Sequence, residues 1–169
     1  MNKVIFISGP PRSGKSTVLM KVIDILKKKG LKVGGFITPE IRVRGKRIGF
    51  KVVDIHSNAE GILANVDQKT GPRLGKYRVN IPDFERVALG ALDFAVNECD
   101  ICVVDEIGKL EFFSEKFREK IIEILKFQKP VIAVLHRSFV DDFKGYGKII
   151  TVDLENRGKL HEKIITLIE

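Results

Sequence analysis

Val4-Ile5-Phe6-Ile7-Ser8-Gly9-Pro10-Pro11-Arg12-Ser13-Gly14-Lys15-Ser16-Thr17 is the stretch that decides the fold of this chain. A continuous apolar run, of the kind buried on both faces of a parallel sheet, leads into a Gly-Pro-Pro turn and then a helical pattern. Gly9 to Ser16 satisfies G-x-x-x-x-G-K-[ST] in full. Strand, glycine loop and helix in that order aim backbone N–H groups and a helix N-terminus at one point, an arrangement that suits phosphate. Gly9 and Gly14 allow the unusual backbone angles and close approach that such a loop needs. The candidate nucleotide-binding residues are therefore Gly9, Pro10, Pro11, Arg12, Ser13, Gly14, Lys15, Ser16 and Thr17. Lys15 can reach the β- and γ-phosphates, and Ser16 can give a hydroxyl to Mg²⁺.

Outward from that loop, strand and helix patterns alternate, which predicts an α/β fold with a mostly parallel sheet flanked by helices. The expected helices are Ser16–Lys29, Pro82–Glu98, Ser114–Phe127 and Arg157–Ile168. The expected strands are Lys3–Ser8, Lys32–Thr38, Ile101–Asp105, Val131–Leu135 and Lys148–Val152. Between Arg42 and about Val66 the rhythm breaks. Arg44-Gly45-Lys46 reads as a turn between two strand-like runs, so a β-hairpin or meander is inserted at the sheet edge after the second strand. The next segment, Asp67–Arg78, carries Gly71-Pro72, Gly75 and the bases Lys69, Arg73, Lys76 and Arg78, and reads as a mobile loop. The 169 residues fit one domain, 1–169.

The second motif is Ile101-Cys102-Val103-Val104-Asp105-Glu106, an apolar strand ending in carboxylates. Paired with a full phosphate loop it has the form of a Walker B strand, with Asp105 holding Mg²⁺ directly or through water. Glu106 points away from Asp105 on an ideal strand, but a turn of the chain at the strand's end can bring it round to polarise a water. A solvated carboxylate or a helix cap is its bland alternative. His136-Arg137 ends the next core strand, where ligands of open parallel sheets bind. His136 either senses the γ-phosphate and the attacking water or satisfies local backbone. Arg12, Arg73, Arg78 and Arg137 are candidates to meet transition-state charge, the loop pair by closing over the triphosphate.

Composition narrows the partners. The net charge of +8 suggests anionic ligands, yet neither basic stretch, Arg42–Lys51 or Lys69–Arg78, interleaves several exposed aromatics as a base-stacking surface does. Nucleic acid is thus disfavoured as the main partner. No apolar run approaches the roughly 20 residues of a membrane span, and a cytosolic protein is expected. The pair Cys99-Asp-Ile-Cys102 lacks a second pair to complete a zinc site, so both cysteines read as reduced core residues.

Taken together, these residues resemble the family of small thermophile-type nucleoside triphosphatases. The resemblance runs along nearly the whole chain and is carried by Gly9–Thr17, Gly35-Phe36-Ile37-Thr38-Pro39-Glu40, Gly45–Phe50, Gly75-Lys76-Tyr77, Asp105-Glu106-Ile107-Gly108-Lys109-Leu110-Glu111 and His136-Arg137. It implies Mg²⁺-dependent hydrolysis of nucleoside triphosphates, ATP and GTP among them, with broad base tolerance. It also implies a RecA-like fold in which the His136 strand lies between the phosphate-loop strand and the Asp105 strand, which favours a catalytic-cleft position for that histidine. The catalytic candidates are thus Lys15, Glu106 and His136. Relatives commonly carry Gly at the place of Arg12, Thr at Ser16 and a small residue at Arg78. Two other classes stay open from sequence: a kinase passing the γ-phosphoryl group to a small nucleoside-like acceptor, and a nucleotide-gated RNA- or protein-binding module.

Overall fold

A computed structural model describes residues 3–169. In chain order the elements are β1 (Val4–Ser8), α1 (Lys15–Lys28), β2 (Val33–Ile37), β3 (Glu40–Val43), β4 (Lys46–Asp54), β5 (Glu60–Asn65), β6 (Arg73–Leu74) and β7 (Tyr77–Val79). They continue with α2 (Ile81–Glu98), β8 (Ile101–Ile107), α3 (Glu115–Lys126), β9 (Val131–Leu135), α4 (Val140–Phe143), β10 (Lys148–Thr151) and α5 (Leu160–Ile168).

One sheet takes the order β10-β1-β9-β8-β2-β4-β5-β7-β6, with β3 paired to β4. The five strands from β10 to β2 are parallel. Their alternate residues feed two cores, because successive side chains of a strand face opposite ways. From β1, Ile5 and Ile7 pack with Val18, Val22 and Leu26 of α1 and Ile164 of α5. Val4 and Phe6 face the other way, towards α2 and α3. There Phe36, Phe84 and Phe117 form an edge-to-face trio with centroids 5.1 to 5.8 Å apart, a packing that adds about 0.5–1.5 kcal/mol per pair beyond burial. β9 lies between β1 and β8, so the ends of these three strands open side by side.

The insertion is larger than a hairpin. β3, β4, β5, β7 and β6 form an antiparallel extension beyond β2. Its β3–β4 turn is the Arg44-Gly45 pair, both with positive φ (52° and 76°), as a two-residue hairpin turn requires. The second half of the stretch read as a mobile loop is built structure instead. Residues 73–79 form the β6–β7 hairpin, Gly75 (φ 59°) makes its turn, and β7 joins β5 through Ala64–Val79 and Asn65–Arg78. Tyr77 and Val79 supply the buried side chains that hold it down.

Two boundaries also move. β8 runs on to Ile107 because its ladder with β9 resumes there after an irregular step. α5 begins at Leu160 rather than Arg157, since Asp153 and Asn156 close a polar turn of their own first. Asp153 Oδ1 accepts the N–H of Glu155 and of Asn156, and Asn156 Oδ1 accepts the N–H of Asp153. Cys99 and Cys102 are buried free thiols, and burial pushes Cys102 up to about 12, which leaves it inert. No helix among the described residues is long and apolar enough to cross a membrane.

Candidate active site

The site is a cleft of about 790 Å³ at the carboxyl ends of the parallel strands. Its floor is the loop between β1 and α1. Gly9 (φ 146°) has no room for a Cβ, which would lie 2.7 Å from Val152 O. Gly14 (φ 100°) stands at the N-terminus of α1, where no side chain caps the helix and the first turn carries no acid. The N–H groups of that turn are thereby left for an anion. Lys15 Nζ donates to Gly9 O at 2.9 Å, which holds the ammonium across the loop mouth. Ser13 Oγ is buried with no hydrogen-bond partner among the described residues, a polar atom suited to a ligand oxygen.

Gly9, Pro11, Arg12, Ser13, Gly14, Lys15, Ser16 and Thr17 all line the cleft. Pro10 does not; its carbonyl accepts the N–H of Ser13 at 3.3 Å and shapes the loop from behind. Arg12 adopts φ 62°, a left-handed conformation that favours glycine.

The facing wall comes from β8 and β9. Asp105 pairs with Val134 and Ile107 with Leu135, so Glu106 is an extra residue in the ladder, and the peptide joining it to Asp105 is cis. A bulge of this sort re-aims a side chain, and both Asp105 and Glu106 line the cleft. The Asp105 carbonyl is held by Thr38 Oγ1 at 2.8 Å. His136 follows β9, and its Nδ1 accepts the N–H of Ser138 at 3.1 Å. A backbone N–H can only donate, so the neutral ring carries its proton on Nε2. Burial first, then the charges of Lys109, Lys15 and Arg137, lower the His136 pKa below its ordinary value and favour that neutral form.

A third acid was given no role from sequence. Glu111 is 2% exposed on the turn Glu111–Phe113. It meets Glu106 over Gly108: a Cβ there would lie 2.5 Å from Glu106 Oε1 and 2.9 Å from Glu111 Oε1. Burial, then the Glu106 charge, pushes Glu111 well above the usual carboxyl range. Burial also raises Glu106, against the pull of Lys15. Asp105 is pushed up to about 7, by burial first and the Glu106 charge second. A lone acid inside Leu110-Glu111-Phe112-Phe113 was the signal available in the sequence.

The arginines separate. Arg12 and Arg137 line the cleft, and so does Arg47, which the sequence reading had not singled out. Arg73 and Arg78 are not among the lining residues. They pair with each other across the β6–β7 hairpin, and Arg78 Nη1 donates to Gly71 O, because the hairpin is tied to β5 rather than free to close. Glu40 and Phe50 also reach the cleft from the antiparallel extension.

Asp105 and Glu111 are buried and Glu106 is partly exposed, while Arg12, Lys15, Arg47 and Arg137 line the same cleft. The Ser16 hydroxyl and the Asp105 carboxylate are both hard oxygen donors on the cleft wall, a donor set that fits a divalent cation. No group of three or more His, Cys, Asp or Glu among the described residues could hold a metal. Such a site suits a hard cation held by one carboxylate, one hydroxyl and the oxygens of a phosphate ligand.

A phosphate loop with two acids aimed at it is shared by many enzymes, and comparison with known proteins narrows the field. The model of a family described as NTPase matches residues 4–165. Nucleoside-triphosphatase THEP1 of Methanocaldococcus jannaschii is 46% identical over 165 residues, 97% of this chain and 96% of the relative. The chain belongs to this nucleoside-triphosphatase family. The crystal structure of THEP1 from Aquifex aeolicus superposes with a TM-score of 0.83 at 29% identity, over 98% of this chain and 99% of that one. The solution structure of a human cancer-related nucleoside triphosphatase gives 0.83 at 32% identity, over 99% and 97%. The family is one of P-loop hydrolases acting on nucleoside triphosphates, and the fold matches its members along the full chain.

Proposed function

We propose that the chain acts as one cytosolic domain that hydrolyses nucleoside 5′-triphosphates to diphosphate and phosphate, with Mg²⁺ and broad base tolerance. The observation that carries this reading is the bulge in β8, which turns Glu106 into the cleft beside Asp105 and opposite Lys15. A triphosphate lies along Gly9–Thr17 with its γ-end towards Glu106 and His136. Lys15 leaves the Gly9 carbonyl for the β- and γ-oxygens. Ser16 and Asp105 hold Mg²⁺, which when bound screens the phosphate charge and polarises the γ-phosphoryl group. Glu106 takes a proton from the attacking water, and His136 Nε2–H donates to a γ-oxygen. Arg12 and Arg137 are placed to meet the charge that develops as the β–γ bridge breaks.

The nucleoside then leaves on the β10 side, where Arg157 Cδ approaches within 3.4 Å of a Cβ built on Gly14. Asn156, an amide on that same loop, has its Oδ1 and Nδ2 already committed to Asp153 N–H and Thr151 O. Both bonds serve the turn and hold the Asn156 side chain within it.

The test is phosphate release from purified protein with Mg²⁺ and a panel of triphosphates, against Lys15→Ala. Turnover no higher than in that variant overturns the reading. Glu106→Gln should still bind nucleotide and lose about 10²-fold or more in kcat, as removal of a general base does; an unchanged kcat removes Glu106 from the role.

A further inference from the structure

A side cavity of about 450 Å³ opens off the main cleft on the side away from β10. It shares Arg47, Phe50, Glu106, Leu110 and His136 with the cleft, and adds Leu74, Gly75, Tyr77 and Lys109. Its volume lies in the range of small-molecule sites. Two features of the wall are built and specific. Phe50 and Tyr77 stack edge to face at 5.5 Å and present aromatic surface. Arg47 lies 5.2 Å from the Phe50 ring, fixed by Tyr77 Oη accepting from its Nε at 2.9 Å and by Glu40 at 3.2 Å from its Nη1. Lys109 is exposed at the cavity, and among the described residues its ammonium makes no hydrogen bond or ion pair, its charge acting on His136.

The position matters as much as the lining. In the sheet order, β10 lies on one side of the phosphate-loop strand, while β9, β8 and the antiparallel extension lie on the other. A triphosphate running from the β10 side towards Glu106 ends at the mouth of this second cavity. Water alone needs no aromatic wall and no extra cations there.

We propose that this cavity is a second-substrate site, taking a small ring compound that carries an anionic group and a hydroxyl, and presenting that hydroxyl to the γ-phosphoryl group. The ring lies on Phe50 and Tyr77, the anionic group meets Lys109 and Arg47, and the hydroxyl reaches Glu106. The hydroxyl proton passes to the Glu106 carboxylate and the oxygen forms a bond to the γ-phosphorus. The bond from that phosphorus to the β–γ bridging oxygen breaks, and its electron pair leaves on the nucleoside diphosphate. The products are the phosphorylated acceptor and the diphosphate, with no oxidant or reductant needed. The inference rests on the reading of Glu106 as the base for hydrolysis.

The experiment follows the γ-phosphorus label of a triphosphate. Wild-type protein with Mg²⁺ is given millimolar ribonucleoside 5′-monophosphates or 4-hydroxybenzoate, and label is counted in probe and in inorganic phosphate. Amide shifts of Gly75 and Lys109 report binding. The expected result is saturable shifts and label in at least one probe. Leu74→Trp, which fills the cavity from a residue outside the main cleft, should cut transfer about tenfold while phosphate release without probe stays within about twofold. Leu74→Glu should do likewise by setting a like charge beside the anionic group, so the test does not depend on one variant folding. Label only in inorganic phosphate with every probe, shifts that never saturate, or transfer indifferent to both variants overturns the proposal. Phosphate release without probe decides the hydrolase reading separately: its presence with no labelled probe sinks this inference alone.

Discussion

Arg12 sits at φ 62°, in the left-handed region that favours glycine. A side chain in the left-handed region costs about 1–2 kcal/mol that glycine does not. Arg12→Gly should therefore be more stable than Arg12→Ala by about 1 kcal/mol in urea unfolding, the reverse of the usual order in which alanine exceeds glycine. Equal midpoints, or a more stable alanine variant, would show that the loop carries no such strain. Glu111 makes a second case at this scale. Its folded pKa is raised by burial and by the Glu106 charge, so above the unfolded value the folded state binds more protons than the unfolded state. Stability from this residue is then greatest below the unfolded pKa, near 4.5, and falls as pH rises towards the folded value. Glu111→Gln removes that fall. Without nucleotide, the variant's melting temperature should gain on wild type as pH goes from 4 to 8, and parallel curves would exclude the effect.

At the scale of elements, the site depends on one irregular step in β8. A regular strand puts Asp105 and Glu106 on opposite faces; the bulge against β9 turns both to the cleft. Gly108 then keeps open the space where Glu106 and Glu111 converge. A Cβ there presses on two side-chain ends that can yield, so Gly108→Ala should fold and misplace the base. A displacement near 1 Å is worth about 10²-fold in rate, and kcat should drop about tenfold or more with little change in KM. A variant with wild-type kcat would separate the Gly108 position from catalysis. The β6–β7 hairpin carries the opposite lesson. Its glycines and bases read as a loop because each strand is only two or three residues long, and its order comes from pairing with β5, which no local pattern reports.

At the scale of the molecule, binding and folding are linked, because the cleft is assembled from β1, α1, β8, β9 and the antiparallel extension together. Mg²⁺ and a nucleoside diphosphate at about 100 times Kd should add about 2.7 kcal/mol of stability. For a domain of this size that is a rise of about 5–10 °C in melting temperature. Lys15→Ala should lose most of the rise; a rise of the same size there would mean the nucleotide binds elsewhere. The phosphate loop, the core strands, the four main helices and the Asp105-Glu106 pair were legible in the sequence because each rests on local rules: glycine spacing, apolar periodicity and an acid after an apolar run. Tertiary structure alone decided which charges meet. Glu111 reaches Glu106 only through the turn after β8, Arg47 reaches the cleft only because β4 lies beside β2, and Arg73 and Arg78 are held away by β5. The physical reason is that charge partners across a sheet are set by strand order and register, and strand order depends on contacts between segments far apart in the chain.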